Sequence, residues 1–421
     1  MKPYTMILFL LLTGMLNAQD TLTLIQCLDG AVAHAPRLQD KQLLNEQGEL
    51  TLSNIRSAWY PELNLNGKIT YQSDVVSIEP DQAGIPLAFP EMPHEQYGMN
   101  LDVRQTLYDG GLTKQQKKYE QAAAAMAIGQ VDVDLYALRE RVTDLYFSVL
   151  LLQETRENLE IILENLKARE QVLRSSVEHG VAGRSDLRLI SVEILKTLQS
   201  ISELDARRGG LLRVIGIYMG RAFDEQVMLD KPYFEWEPGE EMERPELEWF
   251  DLRSNLLESV AGLAEVKRMP RVFAYGQAGV GRPGYNMLND DFDSYYMVGA
   301  GVQWNIWDWN QVKREKQILE KKQQMIGHTR EAFSMNTRAG MEQQVRQMEH
   351  YRNTLSLDEK MLEIRISITG ESASRLENGV ITATDYLQVL NQENMARTSR
   401  STHQLQLLKA MAYYKLLNGT L

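Results

Sequence analysis

One glycine-rich segment has the spacing of a phosphate-binding motif. Gly279-Val280-Gly281-Arg282-Pro283-Gly284 spells the fingerprint G-x-G-x-x-G of dinucleotide-binding proteins. In a working site these glycines lead from a strand directly into a helix, whose first amides hold the phosphate. Here Pro283 and the acidic run Asn289 to Asp293 predict a surface loop instead of a helix. We therefore interpret the segment as a strand end followed by a turn.

Other side chains that could do chemistry also lack the grouping that their chemistry needs. Asp290, Asp291 and Asp293 could hold a divalent cation, but they lack the calcium-loop spacing, and a solvated charge run is the alternative. The histidines form no H-x-x-x-H pair and no triad-like group. They are His34, His94, His179, His328, His350 and His403. The sequence therefore predicts no enzyme, no cofactor and no metal site.

Charge and cysteine content restrict the function further. The chain has 421 residues and a formal net charge of -12, which argues against nucleic-acid binding because that needs a basic face. The negative charge is either a solvated acidic surface or an acidic channel lining that favours cations. Cys27 is the single cysteine and forms no intramolecular disulfide, so stability must come from packing or assembly.

The N-terminal residues indicate export, and the rest of the sequence excludes a helical membrane protein. Residues 1–18 combine Lys2, an apolar run from Met6 to Leu12 and a small-residue stop at Ala18, the pattern of a cleaved signal peptide. After it, no apolar run approaches the roughly 20 residues that a membrane helix needs. If the chain enters a bilayer, it must do so as strands.

Two long helical hairpins dominate the pattern. Leu112 to Glu178 contains no proline and carries leucines seven residues apart, the seam of a coiled coil, over a length of about 100 Å. The leucines are Leu138, Leu145, Leu152, Leu159, Leu166 and Leu173. Arg184 to about Met219 is its predicted partner. Gln311 to Glu377 and Thr384 to Leu417 repeat this plan in the second half.

Four segments of about ten residues alternate apolar and polar side chains, the length and period of tilted membrane strands. They are Glu62 to Tyr71, Tyr97 to Leu107, Arg271 to Val280 and Tyr296 to Ile306. Long loops, 72–96 and 281–294, join them in pairs. Aromatic residues at the opposite ends predict an interfacial girdle, with a packed strand-to-helix corner as the alternative. These residues are Tyr60, Tyr108, Trp304, Trp307 and Trp309.

The two halves of the sequence align at a fixed offset of 199 residues. Val103-Arg104-Gln105-Thr106-Leu107-Tyr108-Asp109 matches Val302-Gln303-Trp304-Asn305-Ile306-Trp307-Asp308, and Glu178-His179-Gly180-Val181 matches Glu377-Asn378-Gly379-Val380. The alignment predicts an internal duplication. Each half then contributes two strands. Four strands cannot close in lipid, so the chain must oligomerise, and three copies would supply twelve strands with room for a lumen.

Motifs along the whole mature sequence resemble TolC-type outer-membrane efflux proteins. They include Ala58-Trp59-Tyr60-Pro61, Leu107-Tyr108-Asp109-Gly110-Gly111 and Arg244-Pro245-Glu246-Leu247. The resemblance implies an α+β membrane protein, a homotrimer whose twelve-stranded outer-membrane β-barrel continues as an α-helical coiled-coil barrel in the periplasm. It also implies a periplasmic adaptor, an inner-membrane pump of the RND, ABC or a similar class, and outer-membrane lipid as partners. The resemblance further implies that the protein functions as a passive exit duct.

The same resemblance assigns roles to two groups of residues. Gly180, Val181 and Ala182, with Gly379, Val380 and Ile381, correspond to hairpin tips that dock the adaptor. Asp186 and Asp385 correspond to carboxylates of the periplasmic aperture; the alternative is an N-terminal carboxylate that stabilises the dipole of its own helix. Two positions depart from the family pattern. Ile381 stands where some members have an arginine, and Gln388 stands where a further aspartate is expected.

These observations predict a domain order and leave one rival function. Residues 19–220 form a first repeat, 221–243 an equatorial linker and 244–421 a second repeat, each repeat containing a helix, two strands and a long hairpin. The rival is a periplasmic coiled-coil scaffold or adaptor without a pore. Four strands of membrane length favour the duct, because a soluble scaffold does not need them.

Overall fold

The structure is a computed structural model that describes residues 21–75, 92–224, 226–235, 241–286 and 291–421. The predicted signal peptide, Asp290 and the middle of the loop 72–96 lie outside these residues. The helices are α1 (Leu24–His34), α2 (Pro36–Ser57), α3 (Leu112–Glu178), α4 (Arg184–Met219), α5 (Pro245–Val266), α6 (Gln311–Glu377) and α7 (Ala383–Asn418). The strands are β1 (Thr21–Leu22), β2 (Glu62–Tyr71), β3 (Glu95–Tyr108), β4 (Met228–Leu229), β5 (Arg271–Arg282) and β6 (Asp293–Gln303).

The predicted long helices are confirmed. Helices α3 and α6 each contain 67 residues and have the predicted bounds, while α4 and α7 each contain 36 residues. Helix α7 extends one residue beyond the prediction at each end. At its start, Thr382 forms a capping box that begins the helix at Ala383, and Gly419 in the left-handed region ends it after Asn418. In the seam, Leu166 and Leu173 are buried, as a coiled-coil core position requires.

The predicted strands are also confirmed, with one error at the end of the fourth. Strand β2 has the predicted bounds, and β3 and β5 are slightly longer than predicted. Strand β6 begins earlier and ends at Gln303, so the prediction that it reaches Ile306 was wrong. Gln303 pairs with Arg271, and the residue before Arg271 is Pro270, which has no amide to continue the ladder.

The chain divides into two compact units. The first comprises the described parts of Met1–Gln39, Val131–Pro245 and Ala332–Leu421. One of its apolar cores, the tip core, joins α3, α4, α6 and α7 near the hairpin turns. It contains Ile162, Leu163, Leu166, Leu173, Ile190, Ile194, Ala373, Leu376, Ala383, Tyr386 and Leu390.

A second core of the first unit surrounds a two-stranded sheet that the sequence did not predict. Strands β1 and β4 pair in parallel, with Leu22 opposite Leu229. The hydroxyl of Tyr146 on α3 lies 2.8 Å from the carbonyl oxygen of Leu22 and 2.6 Å from that of Asp230. One heptad further along α3, the Gln153 side chain bonds both backbone groups of Leu229. Two polar side chains of α3 thus clasp the sheet.

Cys27 lies in the same core and is fully buried. Burial raises the pKa of its thiol to about 12, because the thiolate would be desolvated there. The residue therefore behaves as a small apolar side chain, as a buried free cysteine usually does.

The second unit comprises Asp40–Gln130 and Glu246–Glu331, as far as these ranges are described. It contains one four-stranded sheet in the order β2-β3-β5-β6, in which every neighbouring pair is antiparallel. A bulge interrupts the β3–β5 ladder between Thr106 and Tyr108. None of the described helices combines the length and the apolar character that a membrane-spanning helix requires.

Candidate functional site

One face of the four-stranded sheet is apolar and open to the surroundings. The pairing register places side chains of the four strands in rows across this apolar face. One row is Leu63, Val103, Gly276 and Val298, and the next is Leu65, Leu101, Ala278 and Tyr296. Ile69 continues the face along β2. Leu65 is 68% exposed and Val298 80% exposed in the single chain. Such a surface needs an apolar environment.

The opposite face is polar and internally hydrogen-bonded. The Asp102 carboxylate accepts from Asn66 Nδ2 at 2.5 Å, Asn100 Nδ2 at 2.8 Å and Gln277 Nε2 at 2.7 Å. The hydroxyl of Tyr285 in turn donates to Gln277 Oε1 at 2.5 Å. This network joins β2, β3 and β5. The polar face therefore tolerates water, whereas the apolar face does not.

Aromatic rings on the polar face cover glycines of the neighbouring strand. A Cβ atom built at Gly301 would approach the Phe273 ring to 2.5 Å, and one at Gly299 would approach the Tyr275 ring to the same distance. The Arg104 guanidinium carbon lies 4.3 Å from the centroid of Phe273. The rings thus fill the space that the glycines leave, a pairing that stabilises glycine-containing strands.

Strands β2 and β6 are the edges of this sheet. Within the described residues each pairs with one neighbour only, β2 with β3 and β6 with β5. Each edge therefore presents a row of backbone donors and acceptors without a strand partner. Each such group costs several kcal/mol when it is left unsatisfied in lipid.

The five predicted interfacial aromatic residues lie at or beside the strand ends that lead into helices. Tyr60, Tyr108, Trp304, Trp307 and Trp309 are all exposed in the single chain. The Trp304 indole donates to the carbonyl of Arg268 at 3.0 Å, and the rings of Trp307 and Trp309 meet edge to face at 5.9 Å.

A pair of helix-capping aspartates at these junctions was missed from the sequence. Asp109 accepts from the amides of Gly111 at 2.8 Å and Thr113 at 2.7 Å, which start α3. Desolvation acts to raise the pKa of Asp109, but hydrogen bonds from Thr113 and Gly111 outweigh it and lower the pKa. Asp308 caps α6 in the same way through Val312, and that bond lowers its pKa. The shared Asp at both ends of the 199-residue offset could have indicated these caps.

Both predicted hairpin tips contain a glycine in the left-handed region. The φ angle is 73° at Gly180 and 69° at Gly379. At each tip the following amide reaches back to the helix: Val181 N bonds Ser176 O at 2.8 Å, and Val380 N bonds Arg375 O at 2.9 Å. This is the Schellman pattern, which requires positive φ at the glycine.

The tip side chains divide into exposed and packed residues. Val181 and Val380 are each 63% exposed. Ala182 and Ile381 are half-buried and pack against the tip core. Gln388, at the second position that departs from the family pattern, is exposed.

Asp186 and Asp385 converge on the start of α7. Asp385 Oδ2 accepts from the amide of Thr382 at 3.0 Å and from its hydroxyl at 2.7 Å. The hydroxyl bond is the main reason why the pKa of Asp385 is lowered. Asp186 Oδ1 crosses from α4 and accepts from the Ala383 amide at 3.1 Å. The two carboxylates thus cap the same helix, and Asp186 connects the two hairpins.

The structure brings the predicted tip residues of both hairpins together. A Cβ atom built at Gly379 would lie 3.9 Å from the carbonyl oxygen of Val181. An ion pair between Arg169 of α3 and Glu377 of α6 also joins the hairpins near their turns. The described residues contain no group of three His, Cys, Asp or Glu side chains that could hold a metal ion.

Comparison with known proteins supports the predicted family. Residues 28–208 match the model of the family described as outer membrane efflux protein. The resemblance to TolC-type outer-membrane efflux proteins is therefore confirmed. No curated protein matches the sequence.

Solved structures share the fold at low sequence identity. CusC, described in connection with transmembrane channel formation, is 11% identical with a TM-score of 0.68, over 94% of this chain and 92% of that chain. The outer membrane protein VceC of Vibrio cholerae is 12% identical with a TM-score of 0.65, over 94% and 97%. The open MtrE outer membrane channel of Neisseria gonorrhoeae is 17% identical with a TM-score of 0.67, over 94% and 89%.

Proposed function

We propose that this chain forms the outer-membrane exit duct of a tripartite export system, through which substrates pass passively to the outside. The observation that carries the proposal is the four-stranded sheet with one exposed apolar face, one hydrogen-bonded polar face and two open edges. An apolar outer surface around a polar lumen is the arrangement of outer-membrane barrels. The exposed aromatic residues at the strand ends fit the interface on the periplasmic side.

The open edges support a homotrimer. Neighbouring strands alternate in direction across the sheet, so β2 and β6 are antiparallel to each other. A second copy can therefore place its β2 beside β6 and continue the same antiparallel pattern. Two copies give eight strands, whose interior fills with side chains, whereas three give twelve strands and leave room for a lumen. The α-helical hairpins of three copies would then form the coiled-coil barrel in the periplasm.

We also infer that the chain arose by internal duplication, with repeats at 19–220 and 244–421 joined by the linker 221–243. The equal lengths of α3 and α6, and of α4 and α7, support this division. The matched caps at Asp109 and Asp308 support it as well.

Fractionation tests this function against the scaffold alternative. The duct should be recovered with the outer membrane and released by detergent only. Recovery in the soluble periplasmic fraction without detergent would support the scaffold instead. No catalytic residue is part of the proposal, because an inner-membrane pump would supply the energy for transport.

The exposed valines at the tips are the proposed contact for a periplasmic adaptor. Gly180→Val should strain the turn by about 1–2 kcal/mol, since a β-branched residue is unfavourable at positive φ. Steric exclusion is not the reason, because a Cβ atom at Gly180 meets no atom within 4 Å. Site-specific crosslinking should then show weaker adaptor capture by intact trimers. Gly180→Asn is the control and should retain capture, because asparagine tolerates this conformation; equal capture by all three proteins would contradict the docking role.

The aperture role of Asp186 and Asp385 predicts a change in ion selectivity. Three copies would bring six carboxylates around one opening, which favours cations. Because both residues also cap α7, Asp→Asn at the two positions removes the charge while keeping a side-chain acceptor. Planar-bilayer recordings should show a several-fold smaller cation preference. Asp224→Asn, an exposed change in the linker, should leave selectivity unchanged; unchanged selectivity in the double variant would exclude the aperture role.

A further inference from the structure

We propose that a lysine-lined cavity beside the start of α3 binds the phosphate headgroup of an anionic phospholipid. The inference rests on the proposed membrane-spanning sheet and names a lipid partner for its rim. The cavity has a volume of about 410 Å³. Its lining, called the lysine cavity below, includes Trp59, Thr113, Lys114, Lys117, Lys118 and Gln121.

The three lysines carry a concentrated positive charge, which the one carboxylate among the lining residues, Asp109, offsets only in part. Lys114, Lys117 and Lys118 have the i, i+3, i+4 spacing that places side chains on one face of a helix. In the part of the chain that the structure describes, none of them forms an ion pair with a carboxylate. Like charges at this spacing destabilise a helix, so an anion in the cavity would stabilise it.

The acidic residue of the cavity forms no ion pair with these lysines and leaves the cavity with a net positive charge. Asp109 also lines the cavity, but its two carboxylate oxygens accept from the amides of Gly111 and Thr113. Those bonds occupy the first amides of α3 as well. The attraction for an anion therefore comes from the ammonium groups and not from the helix end.

The second junction, where β6 leads into α6, differs from the first junction, where β3 leads into α3, in the ion pairing of its lysines. Lys316, which stands 199 residues after Lys117, pairs with Glu265. Lys267 pairs with Glu315 at 2.9 Å, and Arg268 lies 3.9 Å from Asp308. Among the described residues, carboxylates thus pair with Lys267 and Lys316 at the second junction, whereas none of the three lysines of the first junction has such a partner. Three adjacent lysines without a carboxylate partner are unexpected in a chain with a net charge of -12.

The position of the cavity favours a lipid over a soluble anion. Gln105 is on the apolar-face side of β3, two residues after Val103, and its Nε2 donates to the carbonyl of Trp59 at 2.7 Å. This bond holds the Trp59 backbone beside the end of the apolar face at which β2 begins. An indole at the end of a lipid-facing surface is typical of the headgroup level, and lysines nearby extend their ammonium groups to phosphates.

The test compares lipid retention by the purified full-length protein. Trimers exposed to phosphatidylglycerol and phosphatidylcholine are washed in neutral detergent, and the retained lipids are counted by native mass spectrometry. Wild-type protein should prefer phosphatidylglycerol. Lys→Gln at positions 114, 117 and 118 should lower its relative affinity on the order of 100-fold at low salt, since each lysine near an anionic surface contributes about 1 kcal/mol. Lys→Arg at the same positions should keep the preference.

Lys267→Gln with Lys316→Gln changes two lysines that already pair with carboxylates; it is the matched control at the second junction and should bind as wild type does. The proposal is overturned if wild-type protein shows no preference, if the triple Gln variant keeps it, or if the control loses it equally. Displacement of the lipid by glycerol 3-phosphate at equal concentration would also overturn it. Flotation with phosphatidylcholine vesicles separates the two claims: wild-type protein that does not float contradicts the membrane duct, whereas flotation without lipid preference contradicts the lysine cavity only.

Discussion

Leu65→Arg should strongly reduce stable insertion into the outer membrane, because it places a charge in the middle of the apolar face. Leu65 lies near the centre of β2 and is 68% exposed in the single chain. An arginine on the lipid face near the bilayer midplane costs about 2–4 kcal/mol per chain, and a trimer would carry three. The amount of protein extracted from outer membranes by detergent should therefore fall strongly.

The neighbouring residue provides the control for this prediction. Asn64→Arg puts the same side chain on the polar face, where the register places Asp102 opposite residue 64. We expect membrane recovery close to that of wild type, because this face borders water in the proposed lumen. If both variants insert equally well, or both fail equally, the assignment of the two faces is contradicted.

The second large effect is expected at Tyr146, which clasps the β1–β4 sheet. Tyr146 is fully buried, and its hydroxyl lies against the carbonyl oxygens of Leu22 and Asp230. Tyr146→Ala should lower the free energy of unfolding by about 3–5 kcal/mol through lost packing. Tyr146→Phe should cost about 1–3 kcal/mol, because the buried carbonyls lose their donor. Burial raises the pKa of Tyr146, so the hydroxyl keeps its proton over the usual pH range.

Denaturant unfolding of the detergent-solubilised protein measures both changes. Tyr233→Phe is the control, since Tyr233 is 85% exposed in the segment that follows β4, and its effect should stay within about 0.5 kcal/mol. Equal stability of Tyr146→Phe and wild type would show that the hydroxyl contributes nothing to the clasp.

Local sequence patterns predicted the elements whose own residues determine them. Helix α3 was predicted correctly because its leucine seam runs from Leu138 to Leu173 and no proline interrupts the helix, while Asp109 and Gly180 mark its two ends. Strand β2 was predicted correctly because its alternation separates one apolar face from one polar face. The error in β6 arose because the alternation of apolar and polar side chains continues through Trp304 to Ile306, whereas the β5–β6 ladder ends where Gln303 pairs with Arg271.

Contacts between distant segments could not be obtained in this way. Strands β1 and β4 contain two residues each and exist because Tyr146 and Gln153 of α3 bind their backbone. The sequence predicted that Asp186 lies near a hairpin tip. It did not predict that its carboxylate accepts a hydrogen bond from the Ala383 amide of the other hairpin. Ile381 was predicted among the docking residues, yet tertiary packing places it half-buried against the tip core.

Disulfide closure of the strand edges tests most directly the claim that three copies complete one sheet. One cysteine replaces Asn64 on β2, and a second replaces, in separate variants, successive residues from Met297 to Gly301 on β6. Cys27 is buried, with a pKa raised to about 12, so it should not interfere. Oxidation of the variant in register should give covalent dimers and trimers, with the trimer as the largest product. A ladder that continues beyond three chains, or monomers for every pair, would contradict the closed trimer.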